Sequence, residues 1–487
     1  MATLKYPQLR NLDFGRLSAS EEARVSPDLL LSGYHDFQQA AYRIARGTAW
    51  VVVGPKGAGK TASIEHLDLM WRTDEMKFLE KWDLASFPVA DVTGLQIGTQ
   101  PGPSSTRAAW EFLILLRIFE SLVGDMGITF QGNVVQLTKD LTAAGLIQGP
   151  DLRTKFFDWS QTTVKFNVGF VGVDSGRESG ATAIQIVEIL RAAISSTVTD
   201  SRHVLAIDGL DGFFAQSNQQ LDALAALVEA AAGVNAFLEG TKTRSSVLLA
   251  IRSDMFSQLP STDSAKLGDH MVELDWSRGG TGHGNELWSL VNAKAQASVH
   301  PSFEGRPLKD VRTAYFANPI GIGPHSSIPA YFLSHTRLLP RDLVALMTEV
   351  KGVHGGSSQL TEANARESVR RYSETYFIRE VSNGLARVLP GASATKVAAF
   401  IESLTTLQSR YFQATDLNEE LAGMLDKTEL RALLKQLYTI GALGVNTTVN
   451  GTRHVNFIYR RTAGGGFSFL REYTLHNSLV VAWNLHW

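Results

Sequence analysis

Short, mostly apolar runs at 49–53, 203–207 and 247–251 carry the pattern of strands buried on both faces. Segments with helical periodicity separate them: 36–46, 60–71, a strongly apolar stretch at 110–122, and an alanine- and leucine-rich one at 220–237. Residues 87–92 predict a further strand, and the Pro/Gly/Ser cluster at 98–105 a loop. Strands that alternate with helices in this way predict a mainly parallel α/β sheet covered on both faces. Between 124 and 202 the pattern weakens, although Val164, Phe166, Val168 and Phe170 alternate with Lys165, Asn167 and Gly169, the spacing of an inserted hairpin.

Beyond Trp276 the pattern is helical, and from 362 to 381 Ala365, Val369, Tyr372 and Tyr376 share one face. The last hundred residues predict helices at 394–404, 417–425 and 428–440, then strands at 445–449 and 452–459 around Asn450-Gly451. That dipeptide suits a two-residue hairpin turn, and three helices with a hairpin predict a winged helix. The expected organisation is an arm at 1–32, an α/β core at 33–276 with an insertion at about 95–200, a helical lid at 277–390 and a winged helix at 391–487.

Composition narrows the function more than the fold. A chain of 487 residues calls for about three domains. A net charge of −2 argues against a globally basic nucleic-acid coat or a polybasic membrane anchor. With no cysteine there are no disulfides, zinc–thiolate sites or catalytic thiols. Residues 1–14 lack the apolar run of a signal peptide, and the longest apolar stretches fall short of the roughly 20 residues of a membrane span. The expectation is a cytoplasmic protein with no membrane association.

The chemistry concentrates in three places. Gly54-Pro55-Lys56-Gly57-Ala58-Gly59-Lys60-Thr61 fits the phosphate-loop pattern, between an expected strand and an expected helix. Its glycines let backbone N–H groups curl around phosphate oxygens at a helix N-terminus. Lys60 would neutralise the β- and γ-phosphates of ATP, and Thr61 would offer its hydroxyl to Mg2+. The run ending in Asp208 supplies a carboxylate for the same metal ion, and Asp211 is placed to orient or activate the attacking water, or else caps the following turn. The run ending in Arg252 puts a guanidinium at a strand end, where it reads the γ-phosphate or pairs with Asp254 or Asp208.

At these residues the sequence resembles a family. Ile207-Asp208-Gly209-Leu210-Asp211 resembles the Walker B segment of NACHT and related signal-transduction ATPases, the STAND branch of the AAA+ class, and Arg252-Ser253 resembles their sensor 1. Leu339-Pro340-Arg341-Asp342-Leu343-Val344 resembles the sensor 2 helix start of origin-recognition-type AAA+ ATPases, which implies that Arg341 reaches the nucleotide from the lid. Leu475-His476-Asn477 resembles the Met-His-Asp motif of STAND switches, whose histidine touches the ADP phosphate; a histidine capping the last helix is the plainer reading. The 141 residues between Thr61 and His203 exceed the usual spacing, and Gly212 stands where NACHT modules often have a further acid. No convincing arginine finger emerges; Arg202 and Arg244 are the candidates.

The resemblance implies an ATP-hydrolysing switch that forms homo-oligomers and controls a partner effector protein, in the manner of prokaryotic antiviral defence. The alternative is a DNA-binding AAA+ initiator or remodeller. Arg431, Lys435, Arg453, His454, Arg460 and Arg461 on the third helix and wing would contact phosphates in that case. A small-molecule phosphotransferase fits less well, because about half of the chain lies outside the core.

Overall fold

The computed structural model describes residues 5–84, 103–129, 132–143, 146–147, 183–210, 218–259, 267–278, 280–282, 284–386, 388–389, 394–418, 421–459 and 466–486. The expected strand at 87–92 and hairpin at 164–170 lie outside them. Two compact units result, one of Gln38–Pro55 and Lys60–Leu274, the other of Met1–Phe37, Lys56–Gly59 and Asp275–Trp487.

In the first unit Val51, Val52 and Val53 are fully buried, as a β-branched run covered on both faces requires. They form β1 (Val51–Gly54), which joins β2 (Lys77–Asp83), β3 (Arg202–Asp208), β4 (Ser245–Arg252) and β5 (Met271–Glu273) in the order β2-β3-β4-β1-β5. Every neighbouring pair is parallel, so all five strands end at one edge. Three of these strands coincide with the expected apolar runs. β2 was not anticipated, because an edge strand is half-solvated and Lys77, Glu80, Lys81 and Asp83 break its apolar signal.

Alternate strand residues divide the two faces. Val51, Val53, Leu205, Ile207, Val247, Leu249 and Ile251 pack with the helices Pro103–Val123, Ala183–Ser196 and Asn218–Glu239 in one core. Trp110 Nε1 donates to the Ala223 carbonyl at 3.1 Å, and Asn235 exchanges two hydrogen bonds with the backbone of Val247. Among the described residues, Leu221–Glu239 is long and apolar enough to cross a membrane, a length that the sequence reading overlooked. Leu224, Leu227, Ala231, Val234 and Leu238 are instead buried in the sheet core. On the opposite face lies the helix Lys60–Trp71, to which Lys81 of β2 is tied through Glu65 (2.8 Å) and Asp68 (2.9 Å).

The second unit begins with an extended arm bound to the helices of the lid. Leu9 N–H donates to Gly356 O (3.1 Å), Tyr315 OH to Pro7 O (2.6 Å), and Lys351 Nζ to Leu12 O (2.5 Å); buried Glu22 pairs with Lys294. The expected amphipathic helix forms as Glu362–Tyr372 and Ile378–Leu385, joined by a π-helical turn at Ser373–Phe377. The turn shifts the buried face: Ala365, Val369 and Tyr372 are buried as expected, but Phe377 and Val381 then take over from the part-exposed Tyr376. A short hairpin, β6 (Pro319–Ile322) with β7 (His325–Ser327), interrupts the helical pattern.

The winged helix contains the helices Ala394–Thr405, Ala414–Asn418 and Lys427–Thr439. Its antiparallel sheet has the order β10-β9-β11-β8, from β8 (Tyr411–Phe412), β9 (Leu443–Val449), β10 (Thr452–Asn456) and β11 (Tyr473–Leu475). The middle helix lies earlier than expected, and residues 421–425 are turn. Asp426 and Glu429 form a capping box that starts the third helix, while Leu430, Leu433, Leu434 and Leu437 bury its inner face. Asn450 (φ 50°) and Gly451 (φ 76°) make the wing turn, both in the left-handed region as a primed hairpin requires.

Candidate functional site

The phosphate loop follows β1 at the edge where the parallel strands end, and the helix Lys60–Trp71 begins from it. Gly57 (φ 88°) and Gly59 (φ 102°) adopt left-handed backbone that a side chain would strain. Lys60, almost fully buried, donates from Nζ to the carbonyls of Gly54 (2.9 Å) and Pro55 (3.1 Å), so its ammonium lies across the inside of the loop. Thr61 Oγ1 donates to Asp208 Oδ2 at 2.6 Å, and Asp208 Oδ1 accepts the Gly209 N–H at 2.8 Å. Thr61, the second residue of its helix, and Asp208, the last of β3, 147 positions apart, thus meet at one point.

A hydroxyl and a carboxylate so placed suit a hard divalent cation, which takes oxygen ligands and completes its shell with water and substrate phosphate. Among the described residues no group of three or more His, Cys, Asp or Glu is arranged to hold a metal by itself. The donor set fits a hard divalent cation such as Mg2+.

Register adds Asp83, which the sequence reading missed. It is the last residue of β2 and stands opposite Asp208 across one ladder step, about 4.8 Å away along the sheet. Its strand partner two residues back, Lys81, bonds to Glu65 of the phosphate-loop helix, so Asp83 faces the side of Thr61. The available signal was the likeness of its strand to β3: both end in an acid.

Arg252 stands opposite Gly54 in the β1–β4 register, at the site edge. Its guanidinium forms a two-pronged ion pair with Asp254, Nε to Oδ1 at 3.0 Å and Nη2 to Oδ2 at 2.7 Å. That is the pairing alternative left open by the sequence. Asp211 lies outside the described residues. Arg202 and Arg244 lie at the start of β3 and just before β4, the end of the sheet away from the loop.

The loop tip, Lys56–Gly59, packs within the second unit. Arg341 N–H donates to Gly57 O (3.4 Å), and a Cβ on Gly57 would come within 3.1 Å of Arg341 Cβ. Arg341 Nε is held by Leu17 O of the arm at 3.0 Å. Trp276 Nε1 donates to Ala58 O at 2.8 Å, its indole stacked 3.9 Å from Phe37. Lys56 Nζ lies 3.6 Å from Glu380 Oε2. The sequence singled out Arg341, whose guanidinium is here held by the arm, but not Trp276 or Glu380, which no local motif marks.

Behind Arg341 is a buried ionic network. Arg337 clamps Asp342 through Nε (2.8 Å) and Nη2 (2.6 Å), and Tyr376 OH donates to the same carboxylate at 3.0 Å. Burial pushes the Asp342 carboxyl up, but the Arg337 charge and these hydrogen bonds outweigh it and leave it below the usual carboxylate range. Arg337 Nη1 also donates to Ile440 O of the winged helix at 3.4 Å.

His476 departs from the role implied by the resemblance. The ring is buried and stacked 4.6 Å from Phe377. Nδ1 accepts the Ser478 N–H at 3.2 Å, capping the helix Asn477–Ala482, and Nε2 lies 3.3 Å from Thr336 O. With Nδ1 an acceptor, Nε2 carries the proton and donates to that carbonyl. Both nitrogens are engaged within the protein, so the ring acts as helix cap and docking contact, the plainer of the two readings that the sequence offered.

No protein-family model matches the sequence, and no curated protein matches it significantly. Among solved structures, the Orc1 protein of Aeropyrum pernix in complex with DNA is similar over 90% of this chain and 92% of that one, at 12% identity and a TM-score of 0.40. Cdc6p from Pyrobaculum aerophilum is similar over 89% of this chain and 94% of that one, at 11% identity and a TM-score of 0.33.

Proposed function

We propose that this chain is a Mg2+-dependent ATPase of the P-loop class that works as a nucleotide-driven switch. The observation that carries the reading is the 2.6 Å hydrogen bond from Thr61 to Asp208 beside the loop spanned by Lys60. Backbone N–H groups at the start of the helix bind phosphate oxygens, and Lys60 turns from the loop carbonyls to the β- and γ-phosphates. Thr61 and Asp208 would hold Mg2+, which would supply neutralising charge to the phosphates during transfer to water. Asp211 orients the attacking water in this reading, Arg252 leaves Asp254 to meet the γ-phosphate, and Arg341 reads the nucleotide from the lid. Oligomerisation and control of a partner protein, as in a defence switch, are the expected outputs.

The test is Lys60→Ala. Loss of a charge-assisted contact worth about 1.5–3 kcal/mol should weaken ATP binding roughly tenfold to a hundredfold, measured with a fluorescent ATP analogue. Wild-type affinity in that variant would refute the assignment.

A second reading is favoured by one observation. Arg431 and Lys435 lie exposed one turn apart on the third helix of the winged helix, and Arg453 and His454 are exposed on the wing strand β10. Such a face suits duplex phosphates, although Arg453 also pairs with Glu472 at 3.1 Å. Arg431→Glu with Lys435→Glu should reduce duplex affinity and flatten its salt dependence; unchanged binding would remove the DNA role.

A further inference from the structure

We infer that Glu380 is the positioning residue through which phosphate on the loop is registered by the winged helix, an inference that rests on the nucleotide-switch reading. One carboxylate oxygen of Glu380 faces two cations: it lies 3.6 Å from Lys56 Nζ, in the phosphate loop, and 3.9 Å from Arg337 Nη2. Both distances exceed a tight hydrogen bond, so Glu380 is shared and can move towards either partner. The Glu380 side chain is 18% exposed, that of Arg337 only 8% and that of Lys56 44%, so the shared charge is well screened towards Lys56 and poorly screened towards Arg337.

Arg337 has little freedom of its own. Two of its nitrogens clamp Asp342, and its third reaches Ile440 O, just before β9. At Gly441 (φ 76°) a Cβ would lie 3.4 Å from Arg337 Cδ, so the guanidinium stem packs directly on the entry to the wing. Neighbouring carbonyls hold the C-terminal end of the same domain: Ser334 O accepts from Asn477 (3.0 Å), His335 O from Ser478 (2.6 Å), and Thr336 O from His476. Segment 334–337 is therefore the shelf on which the winged helix rests. Leu338 follows it at φ 53°, a left-handed conformation that a leucine adopts only when its surroundings impose it.

A bound polyphosphate brings several negative charges to the loop and competes with Glu380 for Lys56. Glu380, released, turns to Arg337 Nη2 and draws the guanidinium away from Ile440 O, which Nη1 reaches on its other side. The contact that loosens is the one between the shelf and the wing, so phosphate occupancy shifts how firmly the winged helix is docked. Glu380 opposes nucleotide binding by the strength of one partly exposed ion pair and transmits the event through Arg337.

The experiment compares the full-length wild type with Glu380→Gln, which keeps the shape and removes the charge. ATP affinity is read with a fluorescent analogue, and docking by amide hydrogen exchange at 440–443 and 476–480, with and without Mg-ATP. The expected result is an affinity about two- to fivefold tighter in Glu380→Gln, since an exposed pair no longer competes. ATP should raise exchange at these segments in wild type, and this response should vanish in the variant. Arg337→Lys, which retains the charge but not the fork, should also lose the response while keeping ATP affinity within about twofold. A full exchange response in Glu380→Gln, or an affinity weaker than wild type, overturns the inference alone. Wild-type protein that binds no ATP overturns the switch reading and this inference together.

Discussion

The two ends of β3 differ in what their polar side chains do. At its start His203 is completely buried: Nδ1 lies 2.9 Å from Ser121 Oγ, Nε2 lies 3.4 Å from Asp125 Oδ2, and the ring stacks 4.6 Å from Phe78. Asp125 in turn accepts from Thr199 Oγ1 (2.7 Å) and Gly127 N–H (2.8 Å). A serine, histidine and acid in hydrogen-bond contact look like catalytic machinery, yet all three are buried with their valences used inside the fold. At its other end Asp208 is only half-buried and meets Thr61 at the mouth of a phosphate loop. In a parallel sheet one edge collects loop ends, helix N-termini and solvent access together. The same residue types therefore stabilise at one end of the strand and are placed for chemistry at the other.

The sharpest way to break this contrast is to delete an acid at each end. Asp208→Ala should lower Mg2+-dependent phosphate release at least about a hundredfold, with a melting temperature near that of wild type. Asp125→Ala should do the reverse. It leaves the Thr199 hydroxyl and the Gly127 N–H without their acceptor and should destabilise the protein by about 1–3 kcal/mol in urea titration, with ATP affinity unchanged. Exchanged phenotypes would invert the assignment of the two ends.

A finer probe is Asp83→Asn, at the edge of the chemical end. A second carboxylate beside Asp208 raises the local attraction for a divalent cation, so its loss should increase the Mg2+ concentration for half-maximal turnover several-fold and leave turnover at saturating Mg2+ close to wild type. Identical Mg2+ titration curves would restrict the metal shell to Thr61 and Asp208.

The smallest effect concerns pH. Burial pushes the His203 imidazole below its ordinary 6.5, only partly offset by Asp125. The unfolded chain therefore takes up a proton that the folded one resists, and stability should fall as pH drops from about 6.5 towards the lowered folded value. His203→Gln should flatten that slope in melts between pH 7.5 and pH 5.5. An equal slope in the variant would assign the titration elsewhere.

Local signals made much of the site legible. A glycine-spaced loop needs its glycines and its lysine in consecutive order, so residues 54–61 declare themselves without any tertiary information. The buried strands leading to Asp208 and Arg252 were equally plain, because strands covered on both faces must be apolar throughout. Asp83, Trp276 and Glu380 were not. Each lies near the loop or Asp208 in space while belonging to an unremarkable local pattern, an edge strand, a strand exit and a part-buried helix turn. Arg252 and His476 had visible motifs but ambiguous partners: Asp254 two residues on takes the first, and Ser478 with Thr336 takes the second.

By itself the amino-acid order determined the phosphate loop, the alternation of buried strands with helices and the wing turn at Asn450-Gly451. These depend on interactions within a few residues, on backbone conformations only glycine or asparagine tolerates, and on periodicity that burial imposes. Only the tertiary structure decided the strand order, the meeting of Thr61 with Asp208, the seating of Arg341 on Gly57 and the sharing of Glu380 between Lys56 and Arg337. Those contacts span tens to hundreds of residues, and a charged side chain can satisfy its need for a partner in many places. Which partner it finds is set by how the whole chain packs.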